Sequence, residues 1–335
     1  MRNRVHWLAC LASAALTFPA VGAVPAAAPD PGAPPPVETV DEGPVDVIGF
    51  GIDPTSRMTV AVNIGGRGPY PFIVDTGAQR TVISKELASR LRLDKGPTAQ
   101  LHSTSGMQNV QTFVIPSLEI NARAVKGIEA PALEQSNLGA PGILGIDSLS
   151  SQRVILDFKA VTMTVHPSTA RVEQWDGETI VVRARSRFGQ LVLADASAGG
   201  KKVYVIIDTG SQVSVGNGVL RRKLMGRKLR RPFTPIELIS VTGGRINADY
   251  TTLDTMRIGG IHIKDLPVAF ADVHPFRKLG LTGQPALLLG MDALRLFDRV
   301  SVDFANRKVR FLPPDGASRP QQTQTAAADP ATPPL

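Results

Sequence analysis

Two Asp-Thr-Gly triplets are the part of this sequence best suited to chemistry. Asp75-Thr76-Gly77 and Asp208-Thr209-Gly210 each follow directly on an apolar run. Two carboxylates a few ångströms apart cannot both ionise, so they would share one proton and titrate as a pair. One member then acts as a general base on a water molecule, and the other, protonated, donates to a carbonyl oxygen. This chemistry requires no covalent nucleophile, no metal and no cofactor.

The triplets lie inside an internal duplication, which is what would bring them together. Four landmarks recur in the same order: residues 70–78 and 203–211, Thr81 and Ser214, residues 143–149 and 288–294, and residues 154–158 and 300–304. The offset between the copies grows from 133 to 146 residues along the chain, as insertions in loops would cause. We therefore predict two lobes of one fold. A pseudo-twofold axis would pass between Asp75 and Asp208.

The elements that carry the triplets have mostly strand character. Residues 58–64 alternate between apolar and polar side chains and end at a Gly-Gly turn. Residues 253–258 and 261–263 are joined through a second Gly-Gly pair, which predicts a hairpin. Helical periodicity is confined to short runs at 84–93 and 219–229 and to a turn or two after Asp147 and Asp292. The predicted fold class is therefore all-β, with two small, partly closed barrel lobes and a few short helices.

The two ends of the chain have the composition of processing and linker segments. Residues 1–28 place a basic start before an apolar run and then small residues, which predicts a signal peptide cleaved after Ala23 or Ala28. The remaining boundaries are a Pro-rich linker at 29–44, an N-terminal lobe at 45–170, a C-terminal lobe at 176–312 and a disordered tail at 313–335. The protein is therefore expected to be exported, with periplasmic and secreted fates both open.

Composition excludes several classes of protein. With 43% hydrophobic and 20% charged residues the chain is not disordered as a whole, and no apolar run of about 18 residues predicts a membrane-spanning helix. The single cysteine, Cys10, excludes a disulfide framework and a cysteine-based zinc site. The formal charge of +8 is too diffuse to name a partner. Aromatic residues make up only 5%, and together with export this argues against nucleic-acid binding.

At the two triplets the chain resembles the aspartic peptidases of the retropepsin and pepsin type. In that family each lobe carries Asp-Thr-Gly followed by Ala or Ser, as at Ala78 and Ser211. Each lobe also carries an apolar-apolar-Gly element, as at 143–145 and 288–290. The form of residues 289–294 looks most like that of bacterial retropepsin-like proteins with two lobes in one chain. The resemblance implies a hydrolase that cuts peptide bonds.

The resemblance also implies roles for particular residues. Asp75 and Asp208 would be catalytic, and four neighbours would support the active-site loops, the two threonines by hydrogen bonds between the loops: Thr76, Gly77, Thr209 and Gly210. Family members close β-hairpin flaps over an extended polypeptide substrate, and candidate flap tips here are Ser105, Gly106, Thr242 and Gly243. Because Ala78 and Ser211 differ beside the two loops, the carboxylate pair is expected to be electrostatically asymmetric.

Other charged residues are expected to play structural roles. Asp147 and Asp292 begin short helical runs, so we expect both to be helix N-caps. Asp157 and Asp303 each precede a phenylalanine in a strand and are expected to face a sheet edge. The segment Arg221–Arg231 packs seven basic residues among leucines. It predicts either a solvated face of an amphipathic helix or a docking surface for an anionic membrane or envelope polymer.

Three functions are open to such a chain. The first is an exported aspartic endopeptidase that hydrolyses peptide bonds with water activated between Asp75 and Asp208. The alternative is a peptide-binding or cell-envelope assembly module that keeps the fold without cutting. A third possibility is a site built between two chains, but both triplets lie in one chain, so we expect a monomer.

Overall fold

The computed structural model describes residues 46–52, 57–120, 123–148, 152–187, 190–225 and 232–314. The predicted signal peptide and linker, nearly all of the predicted tail, and residues 226–231 of the basic segment lie outside these ranges. Within the described ranges, no helix has both the length and the apolar character needed to cross a bilayer.

The N-terminal lobe is a sheet that closes on itself. Its elements are β1 (Asp46–Ile52), β2 (Met58–Ile64), β3 (Arg67–Val74), β4 (Val82–Ser84), α1 (Lys85–Leu91), β5 (Lys95–Ser103), β6 (Gly106–Ile120), β7 (Arg123–Leu133), α2 (Gln135–Leu138), β8 (Gly142–Leu144), one turn of 3-10 helix (Ile146–Ser148), β9 (Gln152–Asp157) and β10 (Thr162–Pro167). Pairing runs from β2 through β3, β8, β4, β7 and β6 and returns to β2. The ring is antiparallel except for β3–β8 and β4–β7.

The C-terminal lobe repeats this order. Its elements are β11 (Ile180–Arg187), β12 (Gln190–Leu193), β13 (Ala196–Ala198), β14 (Lys201–Lys202), β15 (Tyr204–Ile207), β16 (Val215–Gly216), α3 (Gly218–Met225), β17 (Thr234–Ile239), β18 (Arg245–Ile258), β19 (Ile261–Phe270), α4 (His274–Lys278), β20 (Ala286–Leu289), α5 (Met291–Leu294), β21 (Arg299–Asp303) and β22 (Lys308–Leu312). Strand β2 of the first lobe corresponds to two shorter strands here, β12 and β13. Pairing runs from β12 through β15, β20, β16, β19 and β18 to β13.

A six-stranded antiparallel sheet joins the lobes. Its order is β1–β10–β9–β21–β22–β11, so three strands come from each half of the chain. The two central strands pair across the lobe boundary over five residues of each, from 153–157 on β9 to 299–303 on β21. Apolar residues of this sheet, such as Val154 and Val302, belong to the same buried core as residues of both lobes.

The predicted all-β class with two lobes and short helices is confirmed. The predicted Gly-Gly hairpin is also present, since Ile258 of β18 pairs with Ile261 of β19. The expectation that Asp157 and Asp303 face a sheet edge is wrong. Both are buried because they lie in the central strands of the six-stranded sheet. Each buried carboxylate is paired with an arginine: Arg299 donates to Asp157, and Arg153 lies 3.9 Å from Asp303.

The described part of the basic segment is the last turn and a half of α3. Leu220 and Leu224 are buried in the core. Arg221 forms an ion pair with Asp249 at 2.7 Å and lies over the ring of Phe233. The start of the segment is therefore a helix with one face in the core, and docking to an anionic surface stays a prediction.

Candidate active site

Both Asp-Thr-Gly loops leave the lobes at equivalent places. Strands β3 and β15 end in fully buried apolar residues, because each is flanked by other strands of its lobe. Each strand runs parallel to the apolar-apolar-Gly strand, β8 or β20. The Asp75 amide donates to the Leu144 carbonyl and the Asp208 amide to the Leu289 carbonyl, both at 3.0 Å. Each aspartate is thus fixed at the end of a rigid element.

The glycine that follows each of these parallel strands is required by space. A Cβ on Gly145 would lie inside contact distance of the Arg80 carbonyl, and one on Gly290 would lie 2.8 Å from the carbonyl carbon of Val213. The Asp-Thr-Gly loops therefore turn back directly against these glycines, which accounts for the glycine in both copies of the apolar-apolar-Gly element.

The two threonines connect the loops across the lobe boundary. The Thr76 amide donates to Thr209 Oγ1 at 2.9 Å, and the Thr209 amide donates to Thr76 Oγ1 at 3.2 Å. Each hydroxyl also donates to a main-chain carbonyl of the other lobe, Thr76 to Ile207 and Thr209 to Val74. Both threonines are buried. The structure therefore places them in the bridging position that the resemblance implied.

The two aspartate side chains lie within hydrogen-bonding reach of each other. Asp75 Oδ1 accepts from the amides of Gly77 and Ala78 at 2.7 and 3.0 Å, and Asp208 Oδ1 accepts from the Gly210 amide at 3.1 Å. A Cβ on Gly77 would lie 3.0 Å from Asp208 Oδ1, and one on Gly210 would collide with the Asp75 carboxyl. Glycine at both positions lets each carboxyl approach the other loop.

Burial and proximity raise the pKa of both carboxyls. For Asp75 the cause is burial, which outweighs the main-chain amides that stabilise the anion. For Asp208 burial again comes first, and the negative charge of Asp75 raises the pKa further. Two such groups hold one proton between them over a wide pH range. The arrangement can therefore supply a base and an acid at one place.

Thr81 and Ser214, each six residues after its lobe's aspartate, have acidic partners that the sequence did not suggest. Asp147 accepts from the Thr81 amide and hydroxyl, at 2.9 and 2.8 Å. Asp292 accepts equivalently from Ser214, at 2.9 and 2.7 Å. The expected N-cap roles of both aspartates are therefore wrong. Asp147 and Asp292 lie inside their short helices, and the N-cap of α5 is Gly290.

These two pairs connect the far end of each Asp-Thr-Gly loop to the short helix behind it. The recurrence of both members at matching places in the duplication was the available signal, but nothing in the sequence paired them.

The predicted flap tips are brought together. We name the β5–β6 hairpin flap 1 and the β17–β18 hairpin flap 2. At the tips, Thr242 Oγ1 lies 3.0 to 3.1 Å from three serine hydroxyls, those of Ser103, Ser105 and Ser240. Gly106 and Gly243 have positive φ angles of 144° and 80°, which favour glycine at these turns.

Each flap also touches a short helix of the opposite lobe. Flap 1 meets α4, where the His274 amide donates to the Thr104 carbonyl at 2.9 Å. There the rings of His102 and His274 stack, with Nδ1 and Nε2 2.8 Å apart. Flap 2 meets α2, where Gly243 packs against Asn137. The pseudo-twofold symmetry of the lobes thus also relates the two flap contacts. Histidines form the contact of flap 1 with α4, and an asparagine forms the contact of flap 2 with α2.

Two further side chains cross from the C-terminal lobe to the first Asp-Thr-Gly loop. Gln190 donates to the Gly77 carbonyl, and Lys278 Nζ donates to Gln79 Oε1 at 2.5 Å. Sequence reasoning missed both, since neither belongs to a recurring landmark. Within the described ranges no group of three histidine, cysteine or acidic side chains could hold a metal ion.

Two family models match the chain. The model described as "gag-polyprotein putative aspartyl protease" matches residues 60–151, and the one described as "Aspartyl protease" matches residues 194–293. No curated protein matches the chain. Each matched range contains one Asp-Thr-Gly loop and its flap. With two such domains in tandem, and with their loops joined in one site, the chain belongs to the retropepsin-like aspartic peptidases and carries both lobes in a single polypeptide.

Proposed function

We propose that this protease is an exported endopeptidase that uses Asp75 and Asp208 as its catalytic pair. The observation that carries the proposal is the contact between two carboxyls whose pKa values are both raised, on loops that two threonines join. A pair that shares one proton contains the base and the acid that peptide hydrolysis requires.

The reaction follows from that protonation state. A water molecule between the carboxyls loses a proton to the ionised member while its oxygen attacks the carbonyl carbon of the peptide. The protonated member gives its proton to the carbonyl oxygen, so a neutral tetrahedral diol forms. The pair then transfers a proton to the amide nitrogen and takes one from the diol, and the C–N bond breaks. The products are a carboxyl and an amine, and the pair again holds one proton.

An extended polypeptide is the substrate that the flaps would accept. Flaps 1 and 2 are strands with hydroxyl-lined tips, and an extended peptide can pair its main chain with such strands. Both catalytic loops belong to one chain, so we infer that the active species is a monomer. Export rests on the composition of residues 1–28, and a periplasmic or secreted enzyme would meet its substrates outside the cytoplasm.

The decisive experiment compares the wild type with Asp75→Asn and Asp208→Asn on an unstructured protein such as casein between pH 3 and 8. We expect both variants to lose cleavage, because an amide cannot take the proton from water. The matched control is Asp176→Asn, an exposed aspartate between the lobes, which should cleave normally. Cleavage that survives in both active-site variants would refute the proposed mechanism.

The same samples test the alternatives. A wild type that binds peptide at every pH without cutting it would favour the non-cleaving binding module. Gel filtration of the active species at about twice the mass of 35.6 kDa would favour a site built between chains.

A further inference from the structure

Equivalent positions beside the two catalytic aspartates hold different side chains. Arg57 and Gln190 are separated by 133 residues, the same offset that separates Asp75 from Asp208. Their places in the sheets are also equivalent. Continued by two residues, the pairing of Thr59 with Ile73 sets Arg57 opposite Asp75. The pairing of Val192 with Ile206, continued likewise, sets Gln190 opposite Asp208.

Just beyond the last paired residues, the strand register therefore sets each of them opposite its own lobe's aspartate. Residues directly opposite each other in an antiparallel pair project from the same face of the sheet. A cation opposite Asp75 and a neutral amide at the equivalent position opposite Asp208 thus break the symmetry of the site.

The guanidinium of Arg57 is held in place. The residue is 8% exposed, and Nη2 donates to the Leu138 carbonyl at 2.7 Å, which anchors it to α2. A positive charge fixed in a poorly hydrated position acts more strongly on a neighbouring carboxylate than one on the surface. In agreement with this, the charge of Arg57 lowers the pKa of Asp75 against the larger effect of burial.

On the other side, Gln190 brings no charge. Its amide nitrogen donates to the Gly77 carbonyl, so it interacts with the main chain of the opposite loop. The difference between Ala78 and Ser211 does not supply the asymmetry that the sequence suggested, because the Ser211 hydroxyl donates to the Val213 carbonyl at 2.8 Å. The charged groups that act on the pair are Arg57 on Asp75 and Asp75 on Asp208, while Asp208 acts on Asp75 through a hydrogen bond.

Main-chain donors act on both carboxyls. Asp75 Oδ1 receives the Gly77 and Ala78 amides at 2.7 and 3.0 Å, and Asp208 receives the amides of Gly210, 3.1 Å from its Oδ1, and Ser211. Short hydrogen bonds to a carboxylate oxygen stabilise the anion.

We propose that Arg57 fixes the direction of proton transfer in the catalytic pair, with Asp75 as the ionised base that accepts the proton from water and Asp208 as the acid that donates to the carbonyl oxygen. This inference rests on the proposed mechanism and adds the assignment of its two roles. Arg57 touches neither water nor substrate in this scheme, so it is a positioning residue that acts through Asp75.

The test is the pH profile of kcat/KM for Arg57→Gln, which gives position 57 the side chain that position 190 has. Loss of the charge makes the pair easier to protonate. The acidic limb of the profile, where kcat/KM rises as the pair loses its first proton, should therefore move to a pH about one unit higher. Arg57→Lys keeps the charge and should restore the wild-type limb. The control is Arg153→Gln, a buried arginine with Asp303 as its partner, which should lower the melting temperature and leave the limb in place.

A reciprocal variant keeps the inference falsifiable if Arg57→Gln does not fold. Gln190→Arg adds a cation beside Asp208 and should move the acidic limb down by about one pH unit. Carboxyl signals of ¹³C-labelled aspartate, followed by NMR through the same pH range, give the protonation of the pair without turnover. They should show the same shifts in both variants.

The outcomes separate the two proposals. Cleavage that survives in Asp75→Asn and Asp208→Asn refutes the mechanism itself. Cleavage that requires both aspartates, with limbs and NMR titrations unchanged in folded Arg57→Gln and Gln190→Arg, refutes only the role of Arg57.

Discussion

Ile155 on β9 pairs directly with Ser301 on β21, and the two residues occupy equivalent positions in the two halves of the chain. The pseudo-twofold axis therefore passes between them, in the middle of the six-stranded sheet. The neighbouring pairs obey the same symmetry, since Arg153 faces Asp303 and Arg299 faces Asp157. One axis thus relates the supporting sheet, the threonine bridge and the flap contacts.

The buried ion pair beside this axis should be important for stability. We expect Arg153→Leu to lower the free energy of unfolding by about 3 kcal/mol, because Asp303 would keep a buried charge that has lost its partner. Urea unfolding at neutral pH measures the change. The control is Arg257→Leu, whose ion pair with Asp195 is exposed and should contribute less than about 1 kcal/mol. Equal losses in the two variants would contradict the prediction.

The glycine of the second Asp-Thr-Gly loop should be intolerant of a methyl group. In Gly210→Ala the new Cβ would collide with the Asp75 carboxyl, so we expect kcat/KM to fall by about 100-fold or more as the pair is displaced. Steady-state kinetics on a peptide substrate provide the measurement. Gly260→Ala is the matched control, since open space surrounds that position. A Gly210→Ala variant with normal kinetics would mean that the two carboxyls do not need their close approach.

The hydroxyl of Thr242 should hold the two flap tips together. Thr242→Val removes the group that lies against three serine hydroxyls, and one lost hydrogen bond corresponds to about 1 kcal/mol. We expect amide hydrogen exchange at 103–106 and 240–244 to accelerate by roughly fivefold. Thr98→Val, an exposed change on the same hairpin, should leave these rates as they are. Unchanged exchange at both tips in Thr242→Val would show that the hydroxyls do not join the flaps.

The Asp75–Asp208 pair should make the fold less stable as the pH rises. Burial raises the pKa of both carboxyls above their ordinary value of 3.8, so the folded state binds protons that the unfolded state has released. Stability therefore falls as the pH rises from about 4 through the raised values. Asp208→Asn removes one titrating group and its repulsion with Asp75, so the decline between pH 4.5 and 7 should be smaller.

Urea unfolding of the wild type and Asp208→Asn at the two pH values gives this comparison. For Asp176→Asn, a change at an exposed position, the free energy of unfolding should fall with pH as much as it does for the wild type. A decline of the same size in Asp208→Asn would mean that ionisation of the pair does not lower the stability of the fold.

The duplication explains why so much of the fold could be predicted. Two copies of a strand followed by Asp-Thr-Gly imply two lobes and a shared axis without any knowledge of packing. The hairpin at Ile258 and Ile261 could be predicted from local sequence, because a Gly-Gly turn between two strand patterns fixes how the two strands pair. Features that depend on the internal duplication or on neighbouring residues could therefore be predicted from the sequence.

Contacts between distant residues were not accessible in the same way. Asp147 was expected to cap a helix, but Thr81, 66 residues earlier, is brought within reach when the loop folds back against Gly145. His102 and His274 meet across 172 residues of chain. Arg57 lies outside every recurring landmark, and its place beside Asp75 emerges only from strand register. Each of these depends on how the elements pack, which no local pattern encodes.

The tandem arrangement gives this protease a freedom that a homodimer lacks. In an assembly of two identical chains, any mutation appears on both sides of the scissile bond. Here the two sides are encoded separately, so Arg57 and Gln190, or the histidines and the asparagine under the flaps, could diverge one at a time. Carrying both lobes in one chain therefore lets the two sides of the scissile bond acquire different preferences while the two Asp-Thr-Gly loops stay the same.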